Sequence, residues 1–241
     1  MPAWHEVADA WVRHLGEHGD YGRRAVLDPA LQRHVEGHGF RRALDVGCGE
    51  GRACRMMRGW GIEPVGVDPT TALIDRARSL DDGGDYRIGR AEALEFDDHE
   101  FDLVLSCLSL IDIDGLEDAI GEMTRVLAPG GSLVVMNLNS FMTSVGRGLG
   151  WRRDLFGHRK HFAVDRYLDQ RRVPGVFSGA TVDNTHRPLS TYMTLFLNQG
   201  LRLRAFEEPE PDANVDPASR AKSYRRMPWF HVMRWERPRS A

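Results

Sequence analysis

The chain has 241 residues, of which 41% are hydrophobic, and its formal net charge at neutral pH is −3. This length suits one α/β domain with insertions, and the composition excludes a largely disordered protein. The small negative charge argues against nucleic acid as a partner, and no run of about 18 apolar residues predicts a membrane span. The three cysteines favour reduced thiols. We therefore expect a cytoplasmic protein with neither a membrane nor a nucleic-acid partner.

The first 39 residues are predicted to be helical. Residues 4–15 place Trp4 and Trp11 on one face of an amphipathic helix. The pair Asp28-Pro29 is typical of an N-cap followed by proline at the first helical position, so a second helix is expected to begin there. We assign residues 1–39 to a separate N-terminal segment.

Beyond residue 40, short apolar runs alternate with amphipathic segments. Such alternation indicates parallel strands whose connecting helices cover both faces of one sheet. The predicted strands are 43–46, 62–67, 86–88, 101–108 and 132–138. The predicted helices are 52–60, 71–79 and 116–127. The fold class is therefore α/β, with a doubly wound sheet.

The alternation fails between residues 140 and 187, which are rich in arginine, histidine, aromatic residues and glycine. We interpret them as a cap inserted over the carboxyl edge of the sheet. A final helix and two strands then resume the pattern, and these strands are close enough in sequence to pair antiparallel. They are predicted at 188–199, 201–206 and 229–236. The core is thus expected to comprise residues 40–139 and 188–241.

The most informative segment is Leu44–Gly51, with the sequence Leu-Asp-Val-Gly-Cys-Gly-Glu-Gly. Glycines between a strand and a helix let a ligand approach the backbone, and Asp68 ends the next strand, where such folds bind a ribose diol. Dinucleotide sites favour Gly-x-Gly-x-x-Gly, but here the third glycine comes one residue early and Glu50 would oppose a phosphate. Asp45 suits a cationic ligand. We therefore expect a positively charged nucleoside without phosphate, the alternatives being a nicotinamide cofactor or a tight turn without ligand.

Five segments, in order along residues 40–140, resemble the class I S-adenosylmethionine-dependent methyltransferases of the small-molecule, type 11-like group. They are Leu44–Gly51, Gly66-Val67-Asp68-Pro69, Ala91-Glu92-Ala93-Leu94, Phe101-Asp102-Leu103-Val104 and Arg125-Val126-Leu127-Ala128-Pro129-Gly130-Gly131. The resemblance implies a Rossmann-like sheet of seven strands, mostly parallel, with an antiparallel C-terminal strand. It also implies that residues 1–39 form a helical lid, that residues 140–187 bind substrate, and that S-adenosyl-L-methionine is the cofactor.

The resemblance further implies roles for individual residues at the cofactor site. Asp45 and the backbone of Gly47, Cys48 and Gly49 would hold the methionine moiety, and Asp68 would bind the ribose. The adenine would be contacted by Pro69, Arg90, Ala91 and Glu92. Ser106 and Cys107 would lie beneath the sulfonium. Arg90 departs from the family, which often has a hydrogen-bond acceptor there, so adenine is expected to be held by backbone atoms or by Glu92. Cys48 and Cys107 are equally consistent with packing alone.

The candidate catalytic residues are His186 and Tyr192. Pro188 at a helix start places His186 at the junction of cap and core. Either His186 contacts the acceptor as base or orienter with Tyr192 behind it, or it caps the helix or bonds a buried carbonyl. Basic residues prevail between positions 147 and 172, which favours an anionic acceptor unless they form a solvated face. No spacing of metal-ligating residues predicts a metal site.

The leading hypothesis is transfer of a methyl group to O, N or C of a small-molecule acceptor. The alternatives are intramolecular cyclisation or aminocarboxypropyl transfer with the same cofactor, a regulatory protein that binds the cofactor without turnover, and a nicotinamide oxidoreductase, which the glycine spacing disfavours. The acceptor and the oligomeric state stay open.

Overall fold

The computed structural model describes residues 4–16, 18–145, 150–177, 180–215 and 221–239. Its strands are β1 (Arg42–Val46), β2 (Glu63–Asp68), β3 (Asp85–Ile88), β4 (Phe101–Cys107), β5 (Leu127–Leu138), β6 (Gly150–Arg153), β7 (Arg159–Ala163), β8 (Arg171–Phe177), β9 (Ala180–His186), β10 (Arg202–Glu207) and β11 (Phe230–Glu236). Its α-helices are α1 (Trp4–Leu15), α2 (Asp28–Val35), α3 (Arg52–Gly59), α4 (Thr71–Leu80), α5 (Leu116–Val126), α6 (Ser140–Thr143), α7 (Leu189–Asn198) and α8 (Ala221–Tyr224). Within the described ranges, none of these helices combines the length and the apolarity that a membrane span requires.

Seven strands form one sheet in the order β3-β2-β1-β4-β5-β11-β10. All of its pairs are parallel except the two made by β11, which runs antiparallel to β5 and to β10. The predicted α/β sheet with an antiparallel C-terminal strand is confirmed. Because β1, β2 and β4 are parallel neighbours, the residues that follow them meet at one edge, where open α/β sheets bind their ligands.

Helices bury both faces of the sheet, as the continuous apolar strands predict. On one face, Met57 of α3 packs with Leu105 and Val134 from the sheet. On the other, Phe196 of α7 packs with Trp235 of β11, and all of these side chains are fully buried. Burial of one such side chain contributes about 1.5–3 kcal/mol, so the two cores hold the carboxyl edge rigidly.

The start of α2 differs from the prediction that Asp28 is an N-cap. A π-helical turn at Arg23–Leu27 leads directly into α2, so the helix has no free N-terminus at Asp28. The Asp28 carboxylate instead accepts a hydrogen bond from Nε of Arg52 (3.2 Å). The carboxylate thereby ties the N-terminal segment to α3.

The β5 strand begins five residues earlier than predicted, at Leu127. The Pro-Gly-Gly turn therefore lies within the strand, and the register against β4 shifts between Phe101 and Leu103. Gly130 takes a φ of 83°, and its N–H donates to the Arg237 carbonyl (2.7 Å). Glycine makes this bulge possible because other residues rarely adopt positive φ.

The described part of residues 140–187, where the sequence showed no regular period, holds α6 and two antiparallel hairpins, β6–β7 and β8–β9. Isolated two-stranded ribbons bury little of either face, so the polar–apolar alternation of a sheet strand is weak in them. A register shift between Arg152 and Arg153 further interrupts it. The N-terminal helix α1 contacts β9 and α4, which brings it over the carboxyl edge of the sheet.

Candidate active site

The turn after β1 requires glycine at its first position. Gly47 has a φ of 77°, and its N–H and that of Cys48 both donate to the Val67 carbonyl (2.8 and 3.1 Å). A Cβ on Gly47 would lie 2.3 Å from Cβ of Ser109, well inside van der Waals contact. The turn is thereby pressed against both β2 and the loop after β4, and Gly49 is left facing open space.

Asp68 is positioned by the two turns that meet at the edge of the sheet. Its Oδ1 accepts from the Thr70 N–H (2.8 Å), and its Oδ2 accepts from the Gly49 N–H (3.0 Å). Burial raises the pKa of this carboxyl, and the two backbone hydrogen bonds oppose that rise. Each carboxylate oxygen can accept more than one hydrogen bond, so Asp68 can still receive two hydroxyl donors such as a ribose diol.

Asp45 carries an unsatisfied carboxylate oxygen. The side chain is 1% exposed, its Oδ2 accepts only a long hydrogen bond from Sγ of Cys54 (3.6 Å), and its Oδ1 has no partner among the described residues. Burial, with Asp68 and Glu50 nearby, raises the pKa of Asp45 to about 7. An orphaned carboxylate oxygen at a cavity wall calls for a cationic partner, and the ammonium group of S-adenosylmethionine fits it.

A cavity of about 1080 Å³ collects the predicted cofactor residues. Every one of them lines its wall except Ser106, which is fully buried. The Ser106 hydroxyl lies 2.7 Å from that of Ser109, and Ser109 stands between it and the cavity while donating to the Val46 carbonyl (2.7 Å). Ser109, rather than Ser106, therefore lines the wall at this point.

The adenine end of the wall contains an ion pair. The Arg90 guanidinium donates to Oε1 of Glu92 (2.9 Å), and the Arg90 side chain is 65% exposed against 18% for Glu92. Arg90 thus lies towards solvent, whereas Glu92 is directed inwards. The sequence left two ways of holding adenine, by backbone atoms or by Glu92, and both are consistent with this geometry.

The cysteines at the site behave as small packing residues. Burial raises the pKa of the Cys107 thiol to about 12 and that of Cys48 well above its usual value. Both stay protonated at neutral pH and are poor nucleophiles. Cys48 also fills the space beside Gly66, where an added Cβ would lie 2.8 Å from its Sγ.

Part of the cavity wall is apolar. This part comes from β5, β8, β9 and the start of β11, through Leu138, Val173, Val182, Trp229 and Phe230. The guanidinium groups at the cavity are each paired with a carboxylate. These pairs are Arg23 with Asp20, Arg52 with Asp28, and Arg90 with Glu92. This part of the wall suits an uncharged, hydrophobic ligand.

Asp112 is a cavity residue that sequence reasoning missed. It lies in the loop after β4, and its Oδ1 accepts from Nδ2 of Asn184 in β9 (2.8 Å). A second hydrogen bond comes from the Trp4 side chain, and burial raises the pKa of Asp112 to about 7. The available signal was its place just after a central strand, at the same edge as Asp45 and Asp68.

His186 and Tyr192 are not part of the cavity wall. His186 is fully buried, with Nδ1 bonded to Oγ1 of Thr143 (2.8 Å) and Nε2 to the Tyr167 carbonyl (2.8 Å). Tyr192 is 2% exposed and packs beside His231 in the core. Both ring nitrogens of His186 have partners, an arrangement that matches the alternative in which His186 bonds a buried carbonyl.

We expect His186→Ala to lower the free energy of unfolding by about 1–3 kcal/mol, because it leaves two buried polar groups without a partner. Thermal unfolding should show a reduced Tm, while titration calorimetry shows unchanged cofactor affinity. His158→Ala is the control, since that side chain is 77% exposed. An unchanged Tm combined with lost turnover would return His186 to the acceptor site.

Comparison with known proteins points to one family. The model of the methyltransferase domain family matches residues 44–135. A malonyl-[acyl-carrier protein] O-methyltransferase of Enterobacter lignolyticus is 34% identical over 176 residues, which is 72% of this chain and 67% of that protein. A ubiquinone biosynthesis O-methyltransferase of Chelativorans sp. is 32% identical over 123 residues, 49% of this chain and 47% of that protein. The chain thus spans about two thirds of the first relative and less than half of the second.

A solved structure extends the likeness to most of the chain. The S-adenosylmethionine-dependent methyltransferase of Mesorhizobium loti superposes with a TM-score of 0.74 at 25% identity, covering 87% of this chain and 96% of that one. The family-model match over residues 44–135 contains the glycine turn and Asp68. This chain belongs to the class I S-adenosylmethionine-dependent methyltransferases.

Proposed function

We propose that this protein transfers a methyl group from S-adenosylmethionine to the hydroxyl oxygen of a hydrophobic small molecule, with Asp112 as general base. The relatives described above are named O-methyltransferases, which favours oxygen as the acceptor atom. The cavity is larger than the about 300–1,000 Å³ of a typical ligand pocket, so it has room for cofactor and acceptor together.

The cofactor is held at the polar end in this proposal. Asp45 receives the ammonium group through its unpartnered Oδ1, and Asp68 receives the ribose hydroxyls. Gly49 leaves open space for the bound molecule, and Pro69 and Glu92 flank the adenine. S-adenosylmethionine supplies an electrophilic methyl group on a sulfonium.

The protein's contribution to methyl transfer is alignment and exclusion of water. The apolar wall at Val173, Val182 and Phe230 would hold the acceptor against the polar end. Residues 1–39 would act as a lid, since Trp4 and Trp11 line the cavity, and residues 140–187 would act as the substrate cap. These roles give both segments a function in covering the reacting atoms.

The observation that carries the proposal is the buried carboxylate of Asp112, which lines the cavity beside Asn184. A hydroxyl must lose its proton as it is methylated, and a base whose pKa lies near 7 can accept that proton at neutral pH. A carboxylate acceptor would need no base and would be repelled by Asp112. Among the described residues, the three arginines that line the cavity are already paired with carboxylates of the protein. A hydroxyl acceptor is therefore favoured over an anionic one.

The test is to incubate the protein with S-adenosylmethionine carrying a ¹³C-methyl group and a panel of hydrophobic phenols, alcohols, amines and carboxylic acids. We expect S-adenosylhomocysteine and a product whose ¹³C shift identifies an O-methyl ether. Methylthioadenosine would instead indicate cyclisation or aminocarboxypropyl transfer. Cofactor binding without any turnover would indicate a regulatory protein, and an ester product would assign a carboxylate acceptor.

We expect Asp68→Ala to weaken cofactor binding by about 1–3 kcal/mol, because the ribose hydroxyls lose a buried partner. Titration calorimetry with S-adenosylhomocysteine measures the change. Asp75→Ala is the matched control, since that carboxylate is exposed on α4. An affinity equal to that of the control would remove Asp68 from the site.

A further inference from the structure

The hairpin β6–β7 presents an apolar tip to solvent. Leu155 is fully exposed and Phe156 is 85% exposed. The turn that carries them is well ordered by hydrogen bonds, because Oδ1 of Asp154 accepts from the N–H groups of Phe156 (3.0 Å) and His158 (2.9 Å). Gly157 closes the turn with a φ of 82°. Two large hydrophobic side chains are thus held outwards on a fixed turn.

Basic residues surround this tip. Arg152, Arg153, Arg159 and Lys160 lie on the two strands, against the single carboxylate of Asp154. Three of these four cations are exposed, and none of the four lines the cavity. The positive charge of the cap, which the sequence suggested might select an anionic acceptor, is therefore directed to the outside of the molecule at this hairpin.

The hairpin is fixed to the part of the chain that closes the cavity. The Arg226 guanidinium donates to the carbonyls of Arg159 and Lys160 (both 3.0 Å) and lies 4.4 Å from the ring centroid of Trp151. Arg226 stands between Tyr224 and Trp229, and both of these line the cavity. The hairpin is therefore attached to a segment that is flanked by two cavity-lining residues.

We propose that the β6–β7 hairpin docks the protein on an anionic lipid surface, with Leu155 and Phe156 entering the acyl boundary and the flanking cations contacting the phosphate groups. An apolar tip within a basic collar is the arrangement that interfacial binding requires. Two side chains of this size offer roughly 300 Å², whereas a stable protein interface buries about 800 Å² per partner. The area favours a membrane over a protein partner.

The proposal revises the expectation that the protein has no membrane partner, which rested on the absence of a spanning segment in the sequence. Docking by a hairpin tip needs no such segment. It is independent of the acceptor assigned above, because vesicle binding can be measured without turnover. If both hold, the hydrophobic acceptor would reach the cavity from the lipid phase.

The test is flotation of the full chain with phosphatidylcholine vesicles that contain about 30 mol% phosphatidylglycerol, or none. We expect binding to the anionic vesicles alone, falling as salt rises from about 0.05 to 0.5 M. The double variant Leu155→Ser and Phe156→Ser should bind about tenfold or more weakly, with unchanged Tm and cofactor affinity. Arg152→Gln with Lys160→Gln should lose several-fold. Leu197→Ser, an exposed apolar residue of α7, is the control and should bind as the wild type.

A second readout reports insertion directly. Leu155→Cys can be labelled with an environment-sensitive dye, because the native cysteines are buried or half-buried and their thiols stay protonated. Anionic vesicles should shift its emission to the blue, whereas the same dye on Leu197→Cys should not respond. The proposal is overturned if the wild type binds neither vesicle, if the tip variant binds equally well, or if an acidic carrier protein binds the hairpin and vesicles do not.

Discussion

Asp112→Asn should lower kcat by about 10²–10⁴-fold, the usual contribution of a positioned general base. Asparagine keeps the side-chain oxygen that accepts from Asn184, so the loop after β4 should retain its conformation. It cannot take up a proton from a hydroxyl acceptor. Cofactor affinity and Tm should stay close to the wild type, and steady-state kinetics with the identified acceptor measures the loss.

The pH profile separates a base from a residue that merely shapes the cavity. Burial raises the pKa of Asp112 to about 7, and only the ionised form can accept a proton. The wild-type kcat/KM should therefore rise as pH increases from about 6 to 8, and this limb should vanish in Asp112→Asn. Asp75→Asn is the control, since that carboxylate is exposed on α4 and does not line the cavity. A variant with an unchanged limb would exclude Asp112 as the base.

Asp45→Asn should stabilise the free protein and weaken the cofactor complex. Burial places the pKa of Asp45 at about 7 in the folded state, against 3.8 for the free side chain. Between these values the folded state holds a proton that the unfolded chain has lost, so the contribution of this group to stability falls as pH rises from about 4 to 7. Asparagine does not ionise, so the variant does not lose stability in this way as pH rises. The apo Tm should rise by several degrees at pH 8 and change little at pH 4, since about 1 kcal/mol corresponds to 2–4 °C at this chain length.

The same change removes the charge that the cofactor's ammonium group needs. We expect a loss of about 1.5–3 kcal/mol in affinity, because the ammonium group would then face a neutral amide instead of a buried carboxylate. Calorimetry with S-adenosylhomocysteine measures it. Asp85→Asn is the control, because Arg87 lowers the pKa of Asp85, the opposite of the shift at Asp45. Removing the Asp85 carboxylate should therefore not raise Tm. Tm and affinity changing in the same direction would contradict the assignment of Asp45.

The central sheet and its polar edge could be predicted from the sequence because each signal there is local. Asp45 and Asp68 lie near the carboxyl ends of parallel strands, and these ends meet at one edge of the sheet. Gly47 indicates a tight turn, because a Cβ at this position would clash with Ser109. The positions of these residues could be inferred without knowing which distant residues they contact.

Asp112 and His186 could not be assigned in this way. Asp112 is held by Asn184, 72 residues further along the chain, and the direction of its side chain follows from that contact. His186 stands next to a helix start, yet its ring nitrogens face Thr143 and Tyr167 because the cap packs there. The β6–β7 hairpin was missed because a bulge interrupts its period.

The two hydrogen bonds to Asp112 come from distant parts of the chain, one from Trp4 in α1 and one from Asn184 in β9. Both lower its proton affinity, against the burial that raises it. The proton affinity of this carboxylate therefore depends on the positions of α1 and β9. A protein shortened by α1 would lose the Trp4 hydrogen bond, and Asp112 would titrate at a different pH. Under the proposed mechanism, the position of the N-terminal helix and the strength of the base would thus be coupled through a single ionisation.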